Sequence, residues 1–188
     1  LSYNNLNDSL SSESIYIYLG GIVGKSSPGT SGKFLINCVN EGNLKSQIVS
    51  AEKYNVANIK TGGIMAYDEG SSYAYGVRSS CNLGNITVLE NKTCTIGGII
   101  GYQNAVSVIE DCYNKGELRS DYHLDENNAS FFGGILGNGH SSIESCNNTG
   151  NITANKRSYV GGLIGNCQLV SVRNSYNTGN ITAIEGDF

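Results

Sequence analysis

Tryptophan is absent from this chain, proline and methionine occur once each, and histidine occurs twice. Charged residues make up only 15% of the 188, and the formal net charge is −4. Each shortage excludes something. A weakly acidic chain with few cations has little to neutralise a phosphate backbone, so nucleic acid is not an expected partner. His123 and His140 are the sole imidazoles, His-Glu-x-x-His does not occur, and no zincin-type metal centre is expected. Neither a calcium-binding Gly-Gly-x-Gly-x-Asp run nor an EF-hand loop is present, nor a Gly-x-Ser-x-Gly nucleophile elbow. No cofactor, metal or catalytic residue is therefore expected. No stretch of about 18 apolar residues occurs, so no transmembrane segment is expected. The chain starts at Leu1 with no initiator Met and no signal peptide and looks like an excised piece, so the compartment is not read from this end.

What is plentiful is glycine, with 25 residues. Each glycine costs a helix interior about 1 kcal/mol relative to alanine, and no window shows apolar residues at helical spacing. The glycines are ordered. Gly-Gly pairs occur at Gly20-Gly21, Gly62-Gly63, Gly97-Gly98, Gly133-Gly134 and Gly161-Gly162, spaced 42, 35, 36 and 28 residues apart. Two apolar residues follow each pair: Ile22-Val23, Ile64-Met65, Ile99-Ile100, Ile135-Leu136 and Leu163-Ile164. A third glycine comes next in four copies, and Ala66 replaces it in the second. Further on, each copy carries a second segment, such as Asp111-Cys112-Tyr113-Asn114-Lys115-Gly116-Glu117-Leu118. The fifth has Ser175 in the cysteine place.

Unequal spacing comes from two variable loops per copy. The repeats run approximately 15–44, 58–87, 94–118, 131–153 and 159–182. Short β-rich segments bounded by Gly and Asn read as strands. Units of this length, with about three strands each, predict an all-β chain: a single parallel β-solenoid (β-helix) of about five coils over residues 1–188. Residues 1–14 lack the pattern and are expected to form an N-terminal cap or a linker. Six residues after Thr182 cannot cover a coil, so the chain is expected to continue beyond Phe188 into further repeats or domains.

Side chains alternate faces along a strand. Counting by twos from Cys38, Cys112 and Cys146 puts Cys, Asn, Gly and a branched apolar residue on one face. The predicted interior ladders are Cys38/Cys81/Cys112/Cys146/Ser175 and Asn40/Asn114/Asn148/Asn177. Gly and Asn are assigned to these corners because both tolerate positive φ. In the second copy Cys81 lies one residue too close to Gly84, so that corner must adjust. Ile99 and Ile100 are adjacent, so one of them should face solvent unless something covers it. The ladder cysteines are expected to be free buried thiols, because in-register Cβ atoms stand farther apart than a disulfide allows. Cys94 and Cys167 lie outside the ladder and are assigned to packing.

The Gly-Gly-(Leu/Ile)-apolar-Gly segment followed by Asn-Cys-Tyr-Asn-x-Gly-x-Ile resembles the GLUG motif repeat over roughly residues 18–183. Such repeats are found in large secreted or surface-anchored bacterial proteins, including adhesin-like proteins and the non-catalytic region of immunoglobulin A-cleaving metalloproteases. The resemblance implies an extracellular or cell-surface setting and a module of a longer chain. It implies no catalytic residue.

Candidate ligand contacts lie in the variable segments, where insertions leave a solenoid's ladders undisturbed. Asp121, Tyr122, His123, Asp125 and Glu126 form one candidate loop, with Tyr73 and Tyr75 in another. Tyr16, Tyr18 and Tyr102 read as scattered surface tyrosines. The expected function is a non-catalytic structural and presenting module, adhesive toward a glycan or a host surface protein. The alternatives are a carbohydrate-active solenoid enzyme cleaving acidic polysaccharide, and a ligand-free spacer. Glu110-Asp111 and Asp68-Glu69 sit at different offsets within their copies, which gives the enzyme little support.

Overall fold

A computed structural model of the chain describes residues 15–27, 33–47, 56–70, 75–89, 93–120, 129–155, 157–168 and 171–184. These contain strands and no helix. The first coil holds β1 (Ile15–Gly20), β2 (Val23–Ser26), β3 (Lys33–Ile36), β4 (Val39–Asn40) and β5 (Leu44–Gln47). The second holds β6 (Val56–Gly62), β7 (Met65–Asp68), β8 (Tyr75–Arg78), β9 (Cys81–Asn82) and β10 (Ile86–Leu89). In the third, β11 (Cys94–Gly97) leads to one long β12 (Ile100–Glu110), then β13 (Tyr113–Asn114) and β14 (Leu118–Ser120). The fourth repeats this with β15 (Ser130–Gly133), β16 (Leu136–Glu144), β17 (Asn147–Asn148) and β18 (Ile152–Asn155). The fifth comprises β19 (Ser158–Gly161), β20 (Ile164–Cys167), β21 (Val172–Arg173), β22 (Tyr176–Asn177) and β23 (Ile181–Ile184).

Each strand pairs with its counterpart one coil away, always in parallel. The resulting stacked sheets run β1-β6-β11-β15-β19, β2-β7-β12-β16-β20 with β3, β8 and β21 alongside, β22-β17-β13-β9-β4, and β23-β18-β14-β10-β5. The fold is a parallel β-solenoid. Register is set by the motif: Gly62 pairs with Gly20, Gly97 with Gly62, Gly133 with Gly97 and Gly161 with Gly133.

The first corner is built by the Gly-Gly pair. A Cβ on the leading glycine would strike the carbonyl oxygen three residues on, at 1.8 Å for Gly97 and Ile100, so no side chain fits there. After the corner two consecutive amides point at one carbonyl of the next coil. Ile99 N and Ile100 N both donate to Ile135 O at 3.0 Å, and Ile135 N and Leu136 N both donate to Leu163 O at 2.9 and 3.0 Å. Strand alternation fails at such a bend. Ile99 and Ile100 are therefore both fully buried, and neither faces solvent as parity required.

The second corner lies immediately before the cysteine place. Asn37, Ser79, Asp111, Ser145 and Asn174 have φ between 46° and 56°. The sequence pattern assigns positive φ to the ladder Asn and Gly, whereas the structure places it one residue before the ladder. The ladder glycines are needed for a different reason, close stacking. A Cβ on Gly116 would meet Gly84 O at 1.9 Å, and one on Gly150 would meet Gly116 O at 2.0 Å.

Two apolar clusters fill the coil. One gathers Ile64, Met65, Val77, Ile99, Ile100, Ile109, Cys112, Ile135, Leu136, Ile143 and Cys146. The other joins the first sheet to the last through Ile59, Ile96 and Phe132 on one side and Ile86, Leu118 and Ile152 on the other. Burial depends on having a coil on both sides. Ile86, Leu118 and Ile152 are 0% exposed, whereas Ile181 at the same place in the fifth coil is 48% exposed.

Candidate functional site

The interior columns come first, because they show which polar groups are already committed. Asn40 Nδ2 donates to Asn82 Oδ1 at 2.7 Å, Asn82 to Asn114 at 2.8 Å, Asn114 to Asn148 at 2.7 Å and Asn148 to Asn177 at 2.7 Å. Each Nδ2 also donates to the carbonyl of the glycine two residues on. Asn82 thus belongs to the column, a place that counting from Cys81 denies it. Both halves of the motif meet here: a Cβ on the trailing glycine of each pair would collide with the asparagine of its own coil, at 2.5 Å for Gly98 and Asn114 Cγ.

Cys81 is accordingly one residue out of the ladder. It pairs with Val39 and Tyr113, and Ser80 takes the ladder place. Ser80 Oγ accepts from Cys38 N at 3.0 Å and donates to Arg78 O at 2.6 Å. Ser175 does the same with Cys146 N and Arg173 O, at 3.0 and 2.7 Å. The column is Cys38/Ser80/Cys112/Cys146/Ser175, and the corner of the second copy needs no adjustment: Ser79 has φ 46°, like its counterparts. Cys112 N donates to Cys146 Sγ at 3.4 Å, and hydrogen bonding with Cys146 together with burial pushes the Cys112 thiol far above its ordinary range. All six cysteines are free thiols. Cys94 is buried, but Cys167 is exposed and packs nothing away from water.

Of the candidate loop residues, Asp121, Tyr122, His123, Asp125, Glu126 and Tyr73 lie outside the described residues. Tyr75 opens β8, and its backbone pairs with Lys33. Three of the four carboxylates weighed for catalysis have other partners. Glu110 bridges Arg78 at 3.0 Å, Glu69 bridges Lys25 at 2.8 Å, and the buried Asp68 accepts hydrogen bonds from Gln103 and from Gly70 N. Among the described residues no group of three or more His, Cys, Asp or Glu side chains could hold a metal ion, and no helix is long and apolar enough to cross a membrane.

A different cluster, missed in the sequence, flanks the Gly-Gly corner. Two residues before each pair the sheet carries Tyr18, Lys60, Thr95, Phe131 and Tyr159 in register. Five residues after each leading glycine come Lys25, Tyr67, Tyr102, Asn138 and Asn166, also in register. The two columns touch. The Tyr67 ring lies 5.1 Å from Tyr18 and 5.5 Å from Tyr102 between centroids. Lys60 Nζ stands 3.7 Å from the Tyr67 centroid and 4.2 Å from that of Tyr102. Farther along, Phe131 and Tyr159 stack at 5.4 Å, and Asn166 Nδ2 donates to Asn138 Oδ1 at 3.1 Å. Burial holds the Tyr18 and Tyr67 phenols above their ordinary range, so both are neutral at physiological pH. Burial first, and Lys25 second, push the Lys60 ammonium below its ordinary value. The signal that would have found these residues is a fixed offset from the glycines, not the chain context of each tyrosine.

No family model matches the chain, and neither the curated proteins nor the solved structures contain a match, so the GLUG likeness rests on its own motif residues.

Proposed function

We propose that the chain is a non-catalytic structural and presenting module of a secreted or cell-surface protein, built from GLUG-like coils and adhesive toward a glycan or a host surface protein. One observation carries this reading. The interior asparagines are bonded from coil to coil, while an ordered array of rings, amides and cations stands in register along the Gly-Gly corner. A scaffold whose polar interior is committed to stacking leaves chemistry to its surface. Such a surface supports recognition better than bond cleavage, because Glu69, the carboxylate beside the lysines, is ion-paired to Lys25. The test is a binding screen of the purified chain against immobilised glycans and host surface proteins. Saturable binding to members of either class supports the reading; a chain that binds nothing is a spacer, and one that shortens an acidic polysaccharide is the alternative enzyme.

A further inference from the structure

The two columns beside the Gly-Gly corner form a strip with the composition of a saccharide site. Four inter-coil steps of about 4.8 Å make it roughly 19 Å long, so it suits an oligomer better than a single small molecule. Aromatic rings recur at both ends: Tyr18, Tyr67 and Tyr102 in the first three coils, Phe131 with Tyr159 in the last two. Tyr159 is 58% exposed, a large ring surface offered to solvent. Beside Phe131 and Tyr159, in the same two coils, lie the amides of Asn138 and Asn166, which can both donate and accept, as sugar hydroxyls require.

Charge gives the finer specification. Lys25 is paired with Glu69, so their charges cancel. Lys60 is only 9% exposed, and among the described residues no carboxylate lies within salt-bridge distance of it. Its ammonium rests over the rings of Tyr67 and Tyr102, which attract a cation without neutralising it. A cation this buried, which Glu69 reaches only from beyond salt-bridge distance, is a strong place for a ligand carboxylate, because a charge-assisted bond gains strength where water is scarce.

We propose that this strip binds an acidic oligosaccharide laid along the solenoid axis, its pyranose faces on the exposed rings and one uronate carboxylate on Lys60. This rests on the adhesive reading above and moves the contact surface from the variable loops to the coil wall.

The probe is tetragalacturonate, with a neutral tetrasaccharide and tetraglutamate as controls, titrated by calorimetry into the wild-type chain and into Lys60→Met, Tyr159→Ala and a variant with residues 121–128, between β14 and β15, replaced by a short linker. Circular dichroism checks that each variant is folded. The expected result is that tetragalacturonate binds and both controls bind poorly. Lys60→Met weakens the acidic sugar about tenfold, the effect of one lost ion pair of ordinary strength, and Tyr159→Ala weakens it without removing its preference for acid. The loop replacement has no effect. Binding should also raise the Lys60 pKa, visible in the NMR shift of its side chain. Equal affinity for the neutral sugar, or tetraglutamate binding as tightly, overturns the proposal. Binding lost in the loop variant but kept in the two strip variants overturns it while sparing the adhesive reading. A wild-type chain that binds neither this probe nor anything in the wider screen overturns both. Tyr159 is exposed, so its variant remains informative even if Lys60→Met fails to fold.

Discussion

The asparagine column inside the solenoid and the ring-and-lysine strip beside the Gly-Gly corner repeat in the same five coils, yet they obey opposite rules. Inside, one residue type occupies every coil, because each amide must serve the coil below, the coil above and its own glycine carbonyl. A substitution at Asn82, Asn114 or Asn148 breaks three bonds at once. Along the strip each place holds whatever its coil supplies: Tyr, Lys, Thr, Phe, Tyr in one column and Lys, Tyr, Tyr, Asn, Asn in the other. Stacking fixes the spacing of both columns, but only the interior one also fixes the chemistry. Uniformity therefore marks what holds the fold, and variation at a fixed offset marks what is free to recognise something else.

The sharpest test of the contrast is Asn114→Leu, a change that nearly preserves volume. It strands an Asn82 donor, the Asn148 Oδ1 acceptor and the Gly116 carbonyl. At about 1–3 kcal/mol per buried orphan, the loss should be on the order of 3–5 kcal/mol, read from urea unfolding. Asn177→Leu, in the half-buried fifth coil, should cost markedly less. Equal costs would mean that the column is not a cooperative stack.

Gly98→Ala should come next. The added methyl would sit 2.1 Å from Gly134 O and 2.5 Å from Asn114 Cγ, and neither can retreat without opening the stack. A loss of about 2–4 kcal/mol is expected. Gly24→Ala is the control: its nearest neighbour would be Tyr18 O at 3.1 Å, and the second coil already has Ala66 in that place. A cost for Gly24→Ala matching that of Gly98→Ala would show that any added methyl, not this collision, is what the stack resists.

The cysteine column should be more permissive than the asparagine column. Ser80 and Ser175 already replace the thiol and make the same bonds. Cys112→Ser should therefore cost less than Cys112→Leu, for which overpacking costs about 1–3 kcal/mol. Chemical denaturation of the two variants decides it, and a serine variant the less stable of the two would contradict the column's assignment.

Much of this architecture was legible in the sequence, and the failures have physical causes. Gly-Gly pairs and their apolar followers set the coil spacing correctly because stacked corners tolerate no side chain. The second coil misled because a cysteine stood beside the true ladder residue, and matching by residue type outweighed matching by distance from Gly84. Counting back from that glycine gives Asn82 and Ser80 directly. Ile99 and Ile100 defeated parity because they lie in a bend, where two successive amides point the same way. The strip was hidden because Tyr18 precedes its glycine pair while Tyr67 and Tyr102 follow theirs, so residues far apart within the repeat become neighbours only once the corner folds.

Lys60→Met should have the smallest effect on stability and completes the comparison. Methionine keeps most of the aliphatic stem that packs among Tyr18, Tyr67 and Tyr102. Losing the ammonium removes favourable contacts with the rings, but it also removes the cost of holding a charge at 9% exposure. These oppose each other, so the variant should stay within about 1 kcal/mol of wild type at neutral pH. The balance has a pH signature. Burial and then Lys25 lower the folded pKa of Lys60 below its ordinary 10.5, so the unfolded chain holds this proton more tightly than the folded one. Below both values the penalty is full and constant. As pH rises through the folded pKa toward 10.5, the penalty fades, and wild type should gain stability relative to the methionine variant. Tyrosine ionisation acts on both proteins in that range, and their difference isolates the lysine. Paired urea titrations at neutral and alkaline pH would show it. A methionine variant destabilised as severely as Asn114→Leu would place Lys60 with the interior columns, and the strip would then be part of what holds the fold.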